Sequence, residues 1–138
     1  MTKGTNNEVE NFTVDYYSRK WEKYDLEDLK NRIEIAKPIL EPIIHLIDTF
    51  QDCNILDIGT GPGTIPIALI EMLKPKNKMK IVGIDPSSSV IQFANIMAKK
   101  LKKNNILHFE EGGFENIPFP NNKFDIVISN ASFNGTCW

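Results

Sequence analysis

The sequence predicts an α/β fold in which a parallel β-sheet is covered by helices. Three observations lead there. Four short apolar runs with strand character recur along the chain, at Asn54–Ile58, Lys80–Ile84, Ile106–Phe109 and Phe124–Ser129. Helical apolar patterns separate the first three, and strands alternating with helices call for a parallel sheet. Gly59, Gly61 and Gly63 follow the first run directly. Glycine at such a bend allows a sharp turn and a close backbone approach to a ligand.

The elements follow in order. Residues 1–11 are polar and expected to fray. Phe12, Tyr16, Tyr17, Trp21 and Tyr24 are spaced as one aromatic face of helical turns. Leu26, Leu29, Ile33, Ala36 and Leu40 continue a helical period, which Pro38 and Pro42 are expected to kink or divide. Ile43, Ile44, Leu46 and Ile47 form a further apolar patch ending near Phe50. Residues 1–50 thus read as an N-terminal helical cap and 51–138 as an α/β core, with one domain in all at this length.

After the first strand, Thr64–Leu73 reads as a helix with Pro66 in its first turn, where a missing N–H costs little. A turn at Pro75–Lys78 leads to the second strand, which ends at Asp85. Ser87 is the expected cap of the next helix, whose Val90, Ile91, Ala94, Met97, Ala98 and Leu101 share a face. Asn104–Asn105 should stop it. After the third strand, Gly112–Asn122 is a loop rich in Gly, Pro and Asn. The continuous apolar run FDIVIS predicts a fourth strand buried on both faces.

Composition narrows the function. Lys+Arg is 16 and Asp+Glu is 18, for a net charge of −2 over 138 residues, so no nucleic-acid field is expected. The lysine clusters at 74–80 and 99–103 read as a solvated loop and a basic helix C-terminus. Cys53 and Cys137 make neither metal spacing nor a disulfide framework, which points to the cytoplasm and to no metal site. No apolar run approaches membrane-spanning length and the start MTKGTNNEVEN is no signal peptide, so no membrane partner is expected. His45 and His108 have no partner in sequence. No catalytic residue is identified.

Right-handed crossovers place ligands at the carboxyl ends of parallel strands. Asp57 and Gly59 lie at the first such end, Asp85 at the second, Gly112–Phe114 at the third and Ser129–Asn130 at the fourth. The glycines read GxGxG, with Thr64 where the dinucleotide fingerprint has its third glycine. That third glycine serves a pyrophosphate on the helix N-terminus. Asp57 would be a poor neighbour for a diphosphate and a good one for an ammonium. Asp85 suits ribose hydroxyls. No GxxxxGK[ST] occurs. An adenosine with a cationic amino-acid tail fits these charges better than a nicotinamide dinucleotide.

Four segments, ILDIGTGPG, IVGIDPSSSVIQFAN, EEGGFENIPFPNNKF and FDIVISN, stand in the order and spacing of a known family. Over residues 54–130 the chain resembles the class I S-adenosylmethionine-dependent methyltransferases, in particular those of the quinone-biosynthesis (type 11) group. The resemblance implies a Rossmann-like sheet and S-adenosylmethionine as cofactor. It implies that Asp57, Gly59, Thr60, Gly61 and Gly63 surround the methionine part, that Asp85 binds ribose and that Pro86 packs on adenine. Gly113 and Phe114 would flank the adenine edge, and Ser129 and Asn130 would sit beside the transferred methyl. In relatives an N-terminal helix covers the cofactor, which offers Tyr17 or Trp21 for a cation–π contact with the sulfonium.

The chain departs from the family at two places. Gly112-Gly113-Phe114 stands where the family has Gly-Asp-Ala, so one acceptor for the adenine amino group is absent, a loss of about 0.5–1.5 kcal/mol; Glu115 is the candidate replacement. Family members also continue past the fourth strand with a helix, a fifth strand and an antiparallel pair. The resemblance therefore implies a C-terminally truncated, cofactor-binding half. Its fourth strand would be an exposed edge open to homodimer pairing, or covered by Cys137 and Trp138. Ser129-Asn130-Ala131-Ser132 is not the Asn-Pro-Pro-Tyr run of enzymes that methylate base or amide nitrogens, and a small-molecule acceptor is expected. Two alternatives stand beside the methyltransferase: a non-catalytic fragment that binds the cofactor or pairs through its edge, and a nicotinamide-binding oxidoreductase module.

Overall fold

The computed structural model describes residues 24–74 and 78–129. The aromatic stretch from Phe12 to Trp21, the turn at 75–77, Asn130 and the tail at 131–138 lie outside the described residues. The elements run α1 (Leu26–Ile47), β1 (Asp52–Ile58), α2 (Thr64–Met72), β2 (Lys78–Asp85), α3 (Ser88–Lys100), β3 (Leu107–Glu111) and β4 (Ile126–Ser129). The four strands form one sheet in the order β3-β2-β1-β4, with each neighbouring pair parallel. This is the α/β, Rossmann-like architecture expected. The chain builds outward from β1 to β3 and then returns to the other flank of β1. Strand order therefore reverses between β1 and β4, where parallel sheets open a ligand crevice at their carboxyl ends.

α1 starts on a reciprocal cap. The Asp28 N–H donates to Asp25 Oδ1 at 2.9 Å, and the Asp25 N–H donates to Asp28 Oδ2 at 3.0 Å. Against expectation, Pro38 and Pro42 do not divide the helix, which runs unbroken from Leu26 to Ile47. Both prolines are exposed. Leu29, Ile33, Ala36, Leu40, Ile44 and Ile47 form the opposite, buried face and pack in one cluster with α2. Burial of that face outweighs two lost backbone donors. Lys37 Nζ joins the two helices, 2.7 Å from Glu34 and 2.9 Å from Glu71, and the carboxylates raise its pKa.

α3 bears out its expected cap and face. The Val90 N–H donates to Ser87 Oγ at 3.5 Å, and Val90, Ile91, Ala94, Met97 and Ala98 are buried. Ser87→Ala should cost about 1 kcal/mol of stability, read as a lower midpoint in urea. An unmoved midpoint would remove the side chain from the cap.

The sheet has two unlike faces. Side chains alternate along a strand, and Ile55, Ile81, Leu107 and Phe109 meet all three described helices in the larger cluster. Leu56, Ile58, Val82 and Ile84 point the other way, where Phe114, Phe119 and Phe124 of the loop after β3 cover them. The Phe119 and Phe124 rings meet edge to face at 5.2 Å, with Lys123 Nζ 4.6 Å over Phe119.

β4 corrects the expectation of burial on both faces. Val127 is 58% exposed, and Ile126 and Ile128 are half-buried. Among the described residues β4 pairs with β1 alone. The strand also starts later than expected, at Ile126. Asp125 instead clips the start of β1: its N–H donates to the Asn54 carbonyl and its Oδ2 accepts the Asn54 N–H, both at 2.8 Å.

Candidate functional site

Alternation along β1 decides where Asp57 goes. It shares the helix-side face with Cys53 and Ile55, so the chain buries it under the start of α2. Asp57 is 1% exposed. The bend above it has positive φ at all three glycines, 74° at Gly59, 56° at Gly61 and 88° at Gly63. Gly63 caps α2 in the left-handed region without a side-chain bond.

The bend hangs from β2. The Gly59 and Thr60 N–H groups both donate to the Ile84 carbonyl at 2.9 Å. The Gly61 N–H donates to Asp85 Oδ2 at 3.1 Å, and the Ser87 N–H donates to Asp85 Oδ1 at 3.0 Å. One carboxylate thus ties the glycine bend to the start of α3. The Gly112 N–H donates to the Asp85 carbonyl at 3.1 Å, which brings in the loop after β3.

Two glycines are fixed by crowding. A Cβ on Gly63 would lie 2.7 Å from Phe109 Cζ. A Cβ on Gly83 would run into Thr60 Oγ1 and the Phe109 ring. Phe109 is buried and forms the floor of the bend. Sequence reading passed over Phe109, Gly83 and the Ile84 carbonyl. A lone glycine inside a strand marks a close approach, and Gly83 carried that signal.

The electrostatics are those of two carboxylates short of positive charge. Asp57 is pushed up to about 7, chiefly by burial, and the Asp85 charge adds to the rise. Asp57 Oδ2 and Thr60 Oγ1 are both sealed from solvent, and neither has a hydrogen-bond partner among the described residues. Burial also raises the pKa of Asp85, while the Ser87 and Gly61 amides lower it.

The structure gathers Asp57, Gly59, Thr60, Gly61, Gly63 and Asp85 at the carboxyl ends of β1 and β2. Ser129 closes the β4 side, its Oγ donating to the Ile58 carbonyl at 3.3 Å. Gly113 and Asn116 form a tight turn after β3. Phe114 turns its ring onto the second sheet face, against the cluster of Leu56, Ile58, Val82 and Ile84. Pro86 and Glu115 are exposed. His108 does have a partner, Glu110, 2.6 Å away on the exposed face of β3. Among the described residues no group of three or more His, Cys, Asp or Glu could hold a metal, and no helix is long and apolar enough to cross a membrane.

Comparison with known proteins gives consistent findings. A family model for the methyltransferase domain matches residues 49–137. A release factor glutamine methyltransferase of Buchnera aphidicola is 38% identical over 73% of this chain and 36% of its own length. A ribosomal RNA small subunit methyltransferase G of Mesoplasma florum is 32% identical over 79% of this chain and 46% of its own. In structure, the chain resembles a Methanococcus maripaludis protein described as an S-adenosyl-L-methionine-dependent methyltransferase. That likeness has a TM-score of 0.55 at 27% identity and covers 80% of this chain and 52% of that one. The chain spans between a third and a half of the curated relatives' length.

The relatives correct one expectation. A small-molecule acceptor with no nucleic-acid partner does not fit a set that includes release factor and ribosomal RNA methyltransferases. A net charge of −2 describes the whole surface and does not exclude a local basic one. Lys99, Lys100 and Lys102 stand exposed together at the end of α3.

Proposed function

Because this chain belongs to the class I S-adenosylmethionine-dependent methyltransferases, we propose that the bend after β1 is its cofactor cradle and that the protein transfers a methyl group. One observation carries the reading. Two carboxylates stand at a glycine bend whose backbone can approach a ligand closely, and the more deeply buried one, Asp57, lacks a positive partner among the described residues. A cationic adenosyl ligand supplies that charge; a diphosphate would worsen the imbalance.

Asp85 is the ribose ligand in this reading. Each of its oxygens accepts one backbone N–H, and a carboxylate has about four lone-pair sites, so two hydroxyls can still be received. Asp57 attracts the ammonium from beneath the bend. Gly59, Thr60, Gly61 and Gly63 enclose the methionine part. Pro86, Gly113 and Phe114 border the adenine, and Ser129 and Asn130 border the methyl. When bound, S-adenosylmethionine supplies a methyl group already activated on sulfur, so the chain's residues bind, orient and exclude water. The relatives' acceptors support a macromolecular acceptor, protein or RNA. We keep residues 1–50 as a helical cap on a core at 51–138. A cytoplasmic setting belongs to the same reading, supported by two cysteines without a disulfide framework.

Calorimetry tests it. The chain should bind S-adenosylhomocysteine and not NAD, and Asp85→Ala should weaken binding by about tenfold to a hundredfold, the worth of bonds to a charged group. Binding of NAD alone overturns the proposal, and unchanged affinity removes Asp85 from the site.

A further inference from the structure

We propose that the β2–α3–β3 flank of the sheet is an anchoring surface for RNA, which it holds by the phosphate backbone. The proposal rests on the macromolecular acceptor of the reading above and chooses RNA within it. A net charge of −2 conceals an uneven distribution. Between Glu71 and Glu110 the sequence has eight lysines and one acid, Asp85. Asp85 is turned to the glycine bend at the carboxyl ends of the strands. The lysines of this flank gather at the other end.

Backbone bonds bring them together. The Ile81 N–H donates to the Ile106 carbonyl at 3.0 Å, and the Ile106 and Leu107 N–H groups donate to the Lys103 carbonyl at 3.1 and 3.0 Å. The end of α3 is thereby tied beside the start of β2. Lys80, Lys99, Lys100 and Lys102 are exposed and Lys103 is half-buried. None of the five forms an ion pair among the described residues. Side chains alternate along β2, so Lys80 shares the face of Val82 and Ile84, away from the helices. The basic band therefore runs round the rim of the sheet, through the exposed turn at Asn104 and Asn105. Asp52 stands opposite Lys78 in the β1–β2 register and bounds the band there.

Lys102 holds its place against its own backbone. The Lys103 N–H donates to the Ala98 carbonyl at 2.9 Å and the Lys102 N–H to the Lys99 carbonyl at 3.0 Å. That closing pattern gives its left-handed position to glycine in most helices. Here a lysine occupies it, at φ 57°, and a side chain kept at a strained position points to a role beyond the turn. The partner's class follows from what surrounds the lysines. A protein interface has an apolar centre depleted of lysine, and Ile96 is the one large apolar side chain exposed on this flank among the described residues. Nucleic-acid interfaces are polar and strongly positive. Lys80 stands roughly 16 Å along β2 from Asp85, so the band grips the backbone at a distance from the reacting atoms.

The experiment is fluorescence anisotropy of a labelled single-stranded RNA oligonucleotide, titrated with the chain at several salt concentrations. The triple variant Lys99→Gln, Lys100→Gln, Lys102→Gln should bind about tenfold more weakly near 0.1 M salt. Its slope of log affinity against log salt should be shallower by about 2, at about 0.7 for each lost phosphate contact. Lys102→Gly alone should raise the urea midpoint, because glycine suits the left-handed turn, and still weaken RNA binding by about twofold to threefold. A lysine serving only the turn would not separate the two readouts. Lys30→Gln, an exposed lysine of α1 off the band, should bind RNA as the parent does. S-adenosylhomocysteine affinity should stay within about twofold in every variant, since the band lies beyond the screening length from Asp85. No RNA binding by the parent, an equal loss in Lys30→Gln, or polyglutamate of matching charge binding as tightly as RNA overturns the RNA surface. A parent chain that binds RNA but not S-adenosylhomocysteine would instead sink the cofactor reading.

Discussion

Asp57→Asn should make the protein more stable at pH 8 and nearly unable to bind its cofactor. In the folded chain burial lifts Asp57 from 3.8 to about 7. Between those values the folded state holds a proton that the unfolded state has released. The group's stabilising contribution is therefore complete below the unfolded pKa and is lost as pH rises through the folded one. That rise corresponds to roughly 4 kcal/mol. Asparagine cannot ionise and escapes that loss. It leaves a buried amide incompletely partnered, at a cost of about 1–3 kcal/mol, so the net gain at pH 8 is about 1–3 kcal/mol. Binding moves the other way. A charge at roughly 5 Å in an effective dielectric of about 20 is worth about 3 kcal/mol, or a hundredfold in affinity. Urea unfolding from pH 5 to 8 and calorimetry at pH 8 are the measurements. If parent and variant lose stability in parallel as pH rises, Asp57 is not the titrating group. In the parent, cofactor affinity should fall by about tenfold per pH unit below 7, because binding must then expel a proton.

Gly63→Ala should cost about 2–5 kcal/mol of stability. Gly63 sits at φ 88°, where a Cβ is strained, and that Cβ would press on the Phe109 ring at 2.7 Å. Left-handed backbone adds about 1–2 kcal/mol and overpacking about 1–3. Gly113 is the contrast: a Cβ there meets nothing within 4 Å. Gly113→Ala should leave stability within about 0.5 kcal/mol of the parent. Equal losses at the two positions would mean that crowding by Phe109 is not what fixes Gly63.

Much of this was readable in the sequence because local chemistry decides it. The glycines after Ile58, the Ser87 cap and the face of Val90, Ile91, Ala94, Met97 and Ala98 each follow from neighbours within a few residues. The undivided α1 was not readable. Pro38 and Pro42 break a helix locally, and only the face packed on α2 shows why this one survives. The exposure of Val127 was hidden for a similar reason, since FDIVIS states that a strand is apolar but not which neighbours it has. In the site, Asp57 and Asp85 were readable from their place at strand ends. That Asp57 lies under the bend depends on which sheet face residue 57 takes. That Phe109 floors the bend depends on a strand pairing across the whole second crossover.

The suspension of the bend from β2 has a consequence for how such a protein can change over time. The bonds that shape the bend run among residues 59–87, from Gly59 to the Ser87 amide. Such a cradle is a portable part, tied together within a short stretch of chain and floored by Phe109 of β3. Segments outside these residues can diverge toward new acceptors without rebuilding it, in keeping with the likeness of this one chain to both a release factor enzyme and a ribosomal RNA enzyme.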